Sequence, residues 1–362
     1  MTTQMNREVS VWTRKTRALA AGLLVAGMMA AFSLMPTLPA HAATTFTVNS
    51  TADTPDAFPT SSTCDTDVFT SENQCTLRAA IQQANATAGA DAINFNISGT
   101  GVKTIAVGAT GLGALPKITY PVSINGYTQP GTSPNTLATG DNAVLKTELA
   151  GNGQSGTALE ITHVSGQSVI KGLVINRFGE GISIDGDTAG NRIGGNFIGT
   201  VPSGTIDKGN TDNGVNIFDG ASENVIGGTT PAACNVISGN TFNAVFVNGA
   251  NNNLIQGNYI GTDKTGTKSL GNGKGVGAAV AIVGNSSGNT VGGTTAGARN
   301  VISGNESDGI FIGSGSDPNR VLGNRIGTTA NGTAALGNGE AGCLSQARTT
   351  PSGTAPPRGR TP

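Results

Sequence analysis

The sequence predicts an all-β fold, a parallel β-helix solenoid with a short helical cap near its N-terminus. Three observations lead to this prediction. The chain repeats its own motifs at a long, nearly constant interval. Within the repeats, short tetrads alternate aliphatic and other residues. Gly accounts for 55 of 362 residues and aromatic residues for only 4%, which favours a core of small aliphatic layers separated by many turns.

Three independent motifs mark the long repeat. Asn196-Phe-Ile-Gly-Thr200 returns at positions 258–262 and again at 324–328. Asn224-Val-Ile-Gly-Gly228 returns in similar form at positions 289–293. Asn235-Val-Ile-Ser-Gly-Asn240 does the same at positions 300–305. A shared period is typical of solenoids, and we expect either three turns of about 22 residues or two turns with an inserted loop.

The short units are tetrads whose two alternating aliphatic side chains fall on one face of a strand. They are Gly181–Ile184, Gly214–Ile217, Ala244–Val247, Ala279–Ile282 and Gly309–Ile312. Strands of about four residues are too short for a free-standing sheet, so each needs a copy of itself one turn away, about 4.8 Å along the axis. Asn also recurs two positions before Ile or Val, and we expect stacked Asn side chains to form hydrogen-bonded ladders.

A small polar excursion follows each Ile-Gly-Thr motif, at residues 201–210, 263–272 and 329–338. We expect these loops to leave the coil at one corner and to stack on one face of the solenoid, where binding sites commonly lie. The charged side chains that we assign to this loop binding surface are Asp207, Lys208, Asp263 and Lys264.

Residues 1–42 have the organisation of a secretory signal peptide. Four basic residues precede an apolar run from Ala18 to Met35, and Ala40 and Ala42 supply the small residues of a cleavage site. An uncleaved membrane anchor is the alternative. The remaining chain has 17 basic and 21 acidic residues, a balance that argues against a nucleic-acid partner. We expect a monomer without a membrane span, secreted or displayed on the outer cell surface.

Residues 43–92 differ from the repeats and are predicted to form a cap. Within them, Cys75–Asn85 has the pattern of a short amphipathic helix. Its apolar face consists of Leu77, Ala80, Ile81 and Ala84. An open β-helix end exposes strand edges that favour aggregation, so a helix at this place is expected to cover it.

Four cysteines are present in the chain. Cys64 and Cys75 lie close together, and we expect a disulfide between them in an oxidising compartment, with two free thiols as the alternative. Cys234 and Cys343 are distant in sequence and unlike in context, and we leave them unpaired.

Several of these motifs resemble secreted bacterial proteins that carry a CSLREA-type N-terminal domain followed by right-handed parallel β-helix repeats. The residues that carry the resemblance are Thr45–Ser50, Asp53–Asp56, Cys75–Ala80, Asn125–Gly131 and the Asn-x-Ile-Gly-Thr repeats. It covers residues 44–342 and extends in part to polymorphic outer-membrane and adhesin-like proteins. The chain departs from the motif at Thr76, where Ser is usual, and at Ala79, where Glu is usual. We therefore expect Arg78 to lack an ion pair.

Catalysis is the main alternative to binding, because parallel β-helices also carry polysaccharide lyases and glycosidases. Asp185, Asp187 and Asp219 are the candidate catalytic acids, although aligning the tetrads sets Asp185 opposite Phe218 and not opposite Asp219. We interpret these acids as solvated turn residues. No metal or cofactor is expected, with Ca²⁺ considered only for an enzyme.

Two further residues bear on catalysis. Arg177 is interpreted as an outward surface residue rather than a catalytic base. His163 is the one histidine after residue 42, which disfavours a His-rich metal site or a Ser-His-Asp triad.

The sequence therefore divides into a signal (1–42), a CSLREA-like cap (43–92), β-helix repeats (93–342) and a tail (343–362). The Pro- and Arg-rich tail lacks apolar periodicity, which predicts disorder. Because the repeat changes at Cys343, we also consider a truncated or frame-shifted form of a longer protein. The predicted function is a secreted or cell-surface scaffold that binds glycans or host surfaces through its loops. The alternatives are a carbohydrate-active enzyme and a purely structural surface protein.

Overall fold

A computed structural model describes residues 43–346, except residues 60, 62, 71, 88, 110, 154–155, 163–165 and 275–276. The expected signal, His163 and the tail beyond residue 346 lie outside the described residues. Within the described part, the chain forms three parallel β-sheets and one α-helix, α1 at Leu77–Ala86. The prediction of a parallel β-helix with an N-terminal helical cap is confirmed.

From β7 onward, each turn adds one strand to each sheet in a fixed order. The first sheet contains β1 Thr45–Val48, β2 Asp91–Phe95, β4 Val122–Asn125, β7 Val169–Lys171, β10 Arg192–Gly194, β13 Val225–Gly227, β16 Leu254–Gln256, β19 Thr290–Gly292 and β22 Arg320–Leu322. The second contains β3 Lys103–Ala106, β5 Thr147–Ala150, β8 Leu173–Asn176, β11 Phe197–Ile198, β14 Val236–Ile237, β17 Tyr259–Ile260, β20 Val301–Ile302 and β23 Arg325–Ile326. The third contains β6 Thr157–Thr162, β9 Glu180–Asp185, β12 Val215–Phe218, β15 Val245–Asn248, β18 Ala278–Val283, β21 Asp308–Ile312 and β24 Cys343–Ser345.

The alternating tetrads build the core, as predicted. Ile182 of β9 pairs with Val215 of β12, and the same column continues through Val245, Val280 and Ile310. All five side chains are fully buried, and burying each stabilises the fold by roughly 1.5–3 kcal/mol. The strands can be this short because every one is hydrogen-bonded to its copies in adjacent turns.

Asn side chains form three ladders parallel to the axis, which confirms the prediction of hydrogen-bonded Asn ladders. The ladders are Asn191–Asn224–Asn253–Asn289–Asn319, Asn196–Asn235–Asn258–Asn300–Asn324 and Asn210–Asn240–Asn272–Asn305–Asn338. In a typical step, Asn224 donates both its amide Nδ2–H, at 2.9 Å, and its backbone N–H, at 3.0 Å, to Oδ1 of Asn253. The corners therefore bury amides without leaving them unsatisfied.

The long repeat corresponds to two turns of the coil, which are similar in length along two of the ladders and unequal along the third. Along one ladder, Asn235 lies 23 residues before Asn258 but 39 residues after Asn196. The longer turn contains both a polar loop and the short 3-10 helix Pro231–Ala233. The alternative of three turns of about 22 residues was wrong, because two steps along a ladder span the whole repeat, as from Asn191 through Asn224 to Asn253.

The N-terminal cap is held by a helix and a disulfide. Helix α1 packs against β1 and β2 and buries the predicted face of Leu77, Ala80, Ile81 and Ala84. Thr76 caps the helix, since its hydroxyl accepts a 3.1 Å hydrogen bond from the Ala79 N–H. The disulfide between Cys64 and Cys75 is present, as predicted. In the described residues, neither α1 nor the short 3-10 helices have the length and hydropathy of a membrane span.

The expectation that Arg78 lacks an ion pair was wrong. Its guanidinium forms two hydrogen bonds of 2.9 Å to the carboxylate of Asp53, and both side chains are buried. It also donates to the backbone carbonyls of Gly113 and Ala114. The carboxylate thus comes from 25 residues earlier in the chain and not from position 79. The pair links the cap to the loop that follows β3.

The coil continues beyond residue 342, where the predicted repeats end. In β24, Cys343 pairs with Ile310 and Ser345 with Ile312, so Cys343 takes the place of an inward aliphatic residue and the register is maintained. Cys343 is an exposed free thiol and Cys234 a buried one. At the other end, β1 pairs with β2 in the first sheet, so part of the 43–92 segment belongs to the coil.

Candidate binding cleft on the second sheet

The variable position of the Asn-x-Ile-Gly-Thr motif faces outward from the second sheet. Its occupants are Phe197, Tyr259 and Arg325, and Val236 and Val301 lie between them on the intervening turns. Side chains alternate between the two faces of a strand, so these residues point away from the buried Ile column. All except Arg325 are nevertheless buried, because other segments cover this outer face.

A hairpin formed by residues 133–144, which we call the covering hairpin, lies over the outer face. The backbone N–H of Gly140 donates a 2.6 Å hydrogen bond to the hydroxyl of Tyr259. The N–H of Asp141 donates a 2.8 Å hydrogen bond to the carbonyl of Lys264. The hairpin precedes these partners by a long stretch of chain, so the covering is a long-range tertiary contact.

The three polar loops also cover this face and stack as predicted. Antiparallel bridges close them at Thr200–Asp207, Thr262–Ser269 and Thr328–Ala335. The N–H of Lys264 donates to Gly204 and that of Ala330 donates to Gly266, both at 2.8 Å. Gly199 precedes the first loop and has a φ of 90°, and a Cβ there would lie 2.1 Å from the Ser238 carbonyl oxygen. Only glycine is compatible with that approach.

The four charged residues assigned to the loop surface occupy different environments. Asp207 forms a 2.7 Å ion pair with Lys274, and Lys208 is exposed. Asp263 is buried, and its carboxylate accepts hydrogen bonds from its own loop. The ammonium of Lys264 lies 5.9 Å from the centroid of an aromatic ring of the outer face. The four therefore do not form one shared surface.

Asp185 is the last residue of β9, whereas Asp187 and Asp219 lie in turns that follow strands of the third sheet. Ile184 pairs with Ile217, which leaves Asp185 one position short of Asp219, as the alignment of tetrads indicated. Asp187 and Asp219 are exposed, and Asp185 is half-buried. Among the described residues, no cluster of three or more His, Cys, Asp or Glu side chains could hold a metal ion.

Arg177 lies at a corner with a positive φ of 62°. Its guanidinium NH2 is 3.5 Å from Oε1 of Glu148, and the Arg177 side chain is 36% exposed. Glu148 also accepts hydrogen bonds from Thr104 and Asn176, at 2.7 and 2.9 Å. This arrangement fits a partly exposed residue that takes part in a polar network on the outer face.

A cleft of about 400 Å³ opens beside the covering hairpin, within the size range of small-molecule sites, roughly 300–1,000 Å³. Tyr259, Cys234, Val301 and Ala330 contribute to its apolar lining. One wall is residues 137–140 of the covering hairpin. The other wall comes from the turns at 229–231 and 296–299, which present peptide groups and exposed Thr side chains. Arg299 and Arg325 also line the cleft.

A buried carboxyl lies close to this cleft. Asp141 is 5% exposed, and its Oδ2 has no hydrogen-bond partner among the described residues. Burial raises its pKa to about 6, although the N–H of Ala143 and the charge of Lys264 act in the opposite direction. Burial also raises the pKa of Tyr259 to about 12 and that of Cys234 well above its usual range. The layer between hairpin and sheet is therefore poorly solvated.

Sequence reasoning missed Asp141, Tyr259, Arg299 and Arg325. A usable signal existed for two of them, because the x position of the repeat changes from Phe197 to Tyr259 to Arg325 while its neighbours stay fixed. Variation inside a fixed structural frame indicates side chains that face outward. Asp141 belongs to a segment without periodicity, so no pattern pointed to it.

Comparisons with known proteins identify no family. No protein-family model matches the chain, and no curated protein sequence matches it. Among solved structures, the chain is similar to the A-module of the mannuronan C-5 epimerase AlgE6 of Azotobacter vinelandii. The match has 15% sequence identity and a TM-score of 0.22, and covers 78% of this chain and 95% of that one. The parallel β-helix is defined by the strand pairing of this chain itself.

Proposed function

We propose that the chain is a secreted or cell-surface scaffold that binds glycans in the cleft above the second sheet. The observation that carries the proposal is the cleft itself. Its apolar floor suits the non-polar faces of sugar rings, and the peptide groups and hydroxyls of its walls suit sugar hydroxyls. The disulfide Cys64–Cys75 supports an oxidising, extracellular location.

This proposal moves the binding site from the tips of the stacked loops to the cleft beside them. Asp207 is already ion-paired with Lys274, and the carboxylate of Asp263 is used within its own loop. Their polar groups are less available to a ligand than those of the cleft walls. The stacked loops instead support the floor, since Ala330 from the third loop lies in the cleft lining.

The test uses a bulky substitution with a matched control. Thr230 lines the cleft, is exposed and makes no side-chain capping bond, so Thr230→Trp should fill the cleft without removing an interaction. Thr295 is the equivalent residue in the next copy of the Gly-Gly-Thr-Thr motif. It is exposed, also makes no capping bond, and is not part of the cleft lining.

The secreted protein and both variants are screened on a glycan array and by calorimetry, with and without Ca²⁺. We expect binding to be lost in Thr230→Trp and retained in Thr295→Trp. Equal binding by both variants would place the site elsewhere. Release of unsaturated or reducing ends would favour the carbohydrate-active enzyme, and absence of any glycan binding would favour the structural role.

A further inference from the structure

We propose that the ligand of the cleft is an acidic saccharide whose carboxylate or sulfate is bound by Arg299 and Arg325. This inference rests on the proposed function and specifies its ligand. The described lining of the cleft contains these two arginines and no Asp or Glu. A local excess of positive charge is unusual in a chain whose net charge is −1. Charge complementarity therefore favours an anion.

Both guanidinium groups retain unused hydrogen-bonding capacity. Among the residues that the structure describes, neither lies within ion-pair distance of a carboxylate, whereas Arg78, Arg177, Lys117 and Lys274 each have an acidic partner. The Arg299 side chain donates a 3.0 Å hydrogen bond from Nε to the carbonyl of Gly323. The terminal nitrogens of a guanidinium are the ones that bind a carboxylate or sulfate in a bidentate manner.

The two arginines are positioned by rigid elements. Arg325 begins β23 and pairs with Val301 of β20, while Arg299 ends the short 3-10 helix Ala296–Ala298 as its C-cap residue. Gly332 of the third loop leaves room for the Arg325 side chain, because a Cβ there would lie 3.2 Å from its Nε. The guanidinium of Arg325 is thereby placed between the stacked loops and the cleft.

Each arginine is only half-buried, so a ligand anion can reach it. The apolar floor beside them lowers the local dielectric constant, which strengthens a charge-assisted hydrogen bond relative to one on an open surface. A neutral sugar of the same size would gain the apolar contacts but not these bonds. We therefore expect acidic saccharides to bind at least tenfold more tightly than matched neutral ones.

The experiment measures binding of trigalacturonate, a sulfated galactose trimer and neutral galactotriose by calorimetry at two salt concentrations. We expect both acidic trimers to bind more tightly than the neutral one, and Arg299→Gln and Arg325→Gln each to weaken acidic binding by about tenfold to a hundredfold. Arg325→Lys should fall in between, because it keeps the charge but loses the planar fork. Preference for one trimer identifies carboxylate or sulfate as the bound group.

Arg320→Gln is the matched control. Arg320 is exposed on β22 of the first sheet, the strand that precedes β23 in the chain. We expect Arg320→Gln to leave the affinity for the acidic trimers unchanged. Thermal unfolding of every variant checks that the coil is intact. Equal affinity for neutral and acidic trimers would overturn the inference while leaving glycan binding in place. If glycans bind but the two Gln variants behave as Arg320→Gln does, the inference is also wrong. Absence of binding by any glycan would overturn both.

Discussion

Replacement of Asp141 by Asn should stabilise the protein at neutral pH and have no effect in acid. Asp141 is 5% exposed, and burial raises the pKa of its carboxyl from 3.8 to about 6. The neutral form is therefore favoured in the folded state. The stability that this preference contributes is fully present below the unfolded pKa of 3.8 and is lost as the pH rises through about 6.

The magnitude follows from the shift. A difference of about two pKa units corresponds to about 3 kcal/mol in the free energy of unfolding. The wild type loses this stability between pH 3.5 and 7.5. Asp141→Asn keeps it, because its side chain is neutral throughout. With an unfolding entropy of about 2.1 cal/mol/K per residue over about 300 folded residues, this corresponds to about 5 °C in Tm. Asn preserves the acceptor that Asp141 offers to the Ala143 N–H.

The assay is calorimetric unfolding of both proteins at pH 3.5, 5, 6 and 7.5. We expect their Tm values to agree at pH 3.5 and to diverge by about 5 °C at pH 7.5, with most of the change between pH 4 and 6. Asp187→Asn, at an exposed position, controls for the change in net charge and should show no such divergence. A Tm difference that is the same at every pH would refute the reasoning.

Three further predictions concern the Asn ladders and the N-terminal cap, and each is measured as a change in the free energy of unfolding. Asn258→Ala should cost about 3 kcal/mol, because it leaves buried ladder amides without an acceptor. Arg78→Met should cost about 3–5 kcal/mol, because it leaves the buried carboxylate of Asp53 uncompensated. Replacing Cys64 and Cys75 together by Ser should cost about 3 kcal/mol by removing the cross-link from the unfolded chain.

Controls exist for each of these changes. Asn248→Ala alters an Asn on β15 outside the three ladders and should cost clearly less than the ladder variant. Lys117→Gln removes the ion pair between Lys117 and Glu160. Because the Lys117 side chain is 58% exposed, this change should alter the free energy of unfolding by less than about 1 kcal/mol. Reduction of the wild type should reproduce the effect of the double Ser variant. Equal effects of ladder and control variants would contradict these structural roles.

The features predicted from the sequence are those whose residues recur at a fixed spacing. The tetrads, the Asn ladders, the stacked loops and helix α1 each follow from local spacing, since strands and helices impose periods of 2 and 3.6 residues. The sequence alone left the number of turns in the long repeat undecided. Two turns with a loop and three equal turns fit the same long period, and only the pairing of Asn196 with Asn235 decides between them.

The cleft was missed because its parts come from segments that are far apart in sequence. Gly140 contacts Tyr259 across 119 residues, and the covering hairpin has no repeat of its own. Arg78 gives a second case, since its partner Asp53 lies outside the motif that suggested the pairing. Neither contact has a periodic signature, so both require the three-dimensional path of the chain.

The most direct test of the central claim is a crystal structure of the full chain soaked with trigalacturonate. We predict that the saccharide lies between the covering hairpin and the turns at 229–231 and 296–299. Its carboxylates should be within about 3.2 Å of the guanidinium groups of Arg299 and Arg325. A saccharide bound instead at Asp207 and Lys208 on the stacked loops, or on the outer face of the first or third sheet, would contradict this prediction.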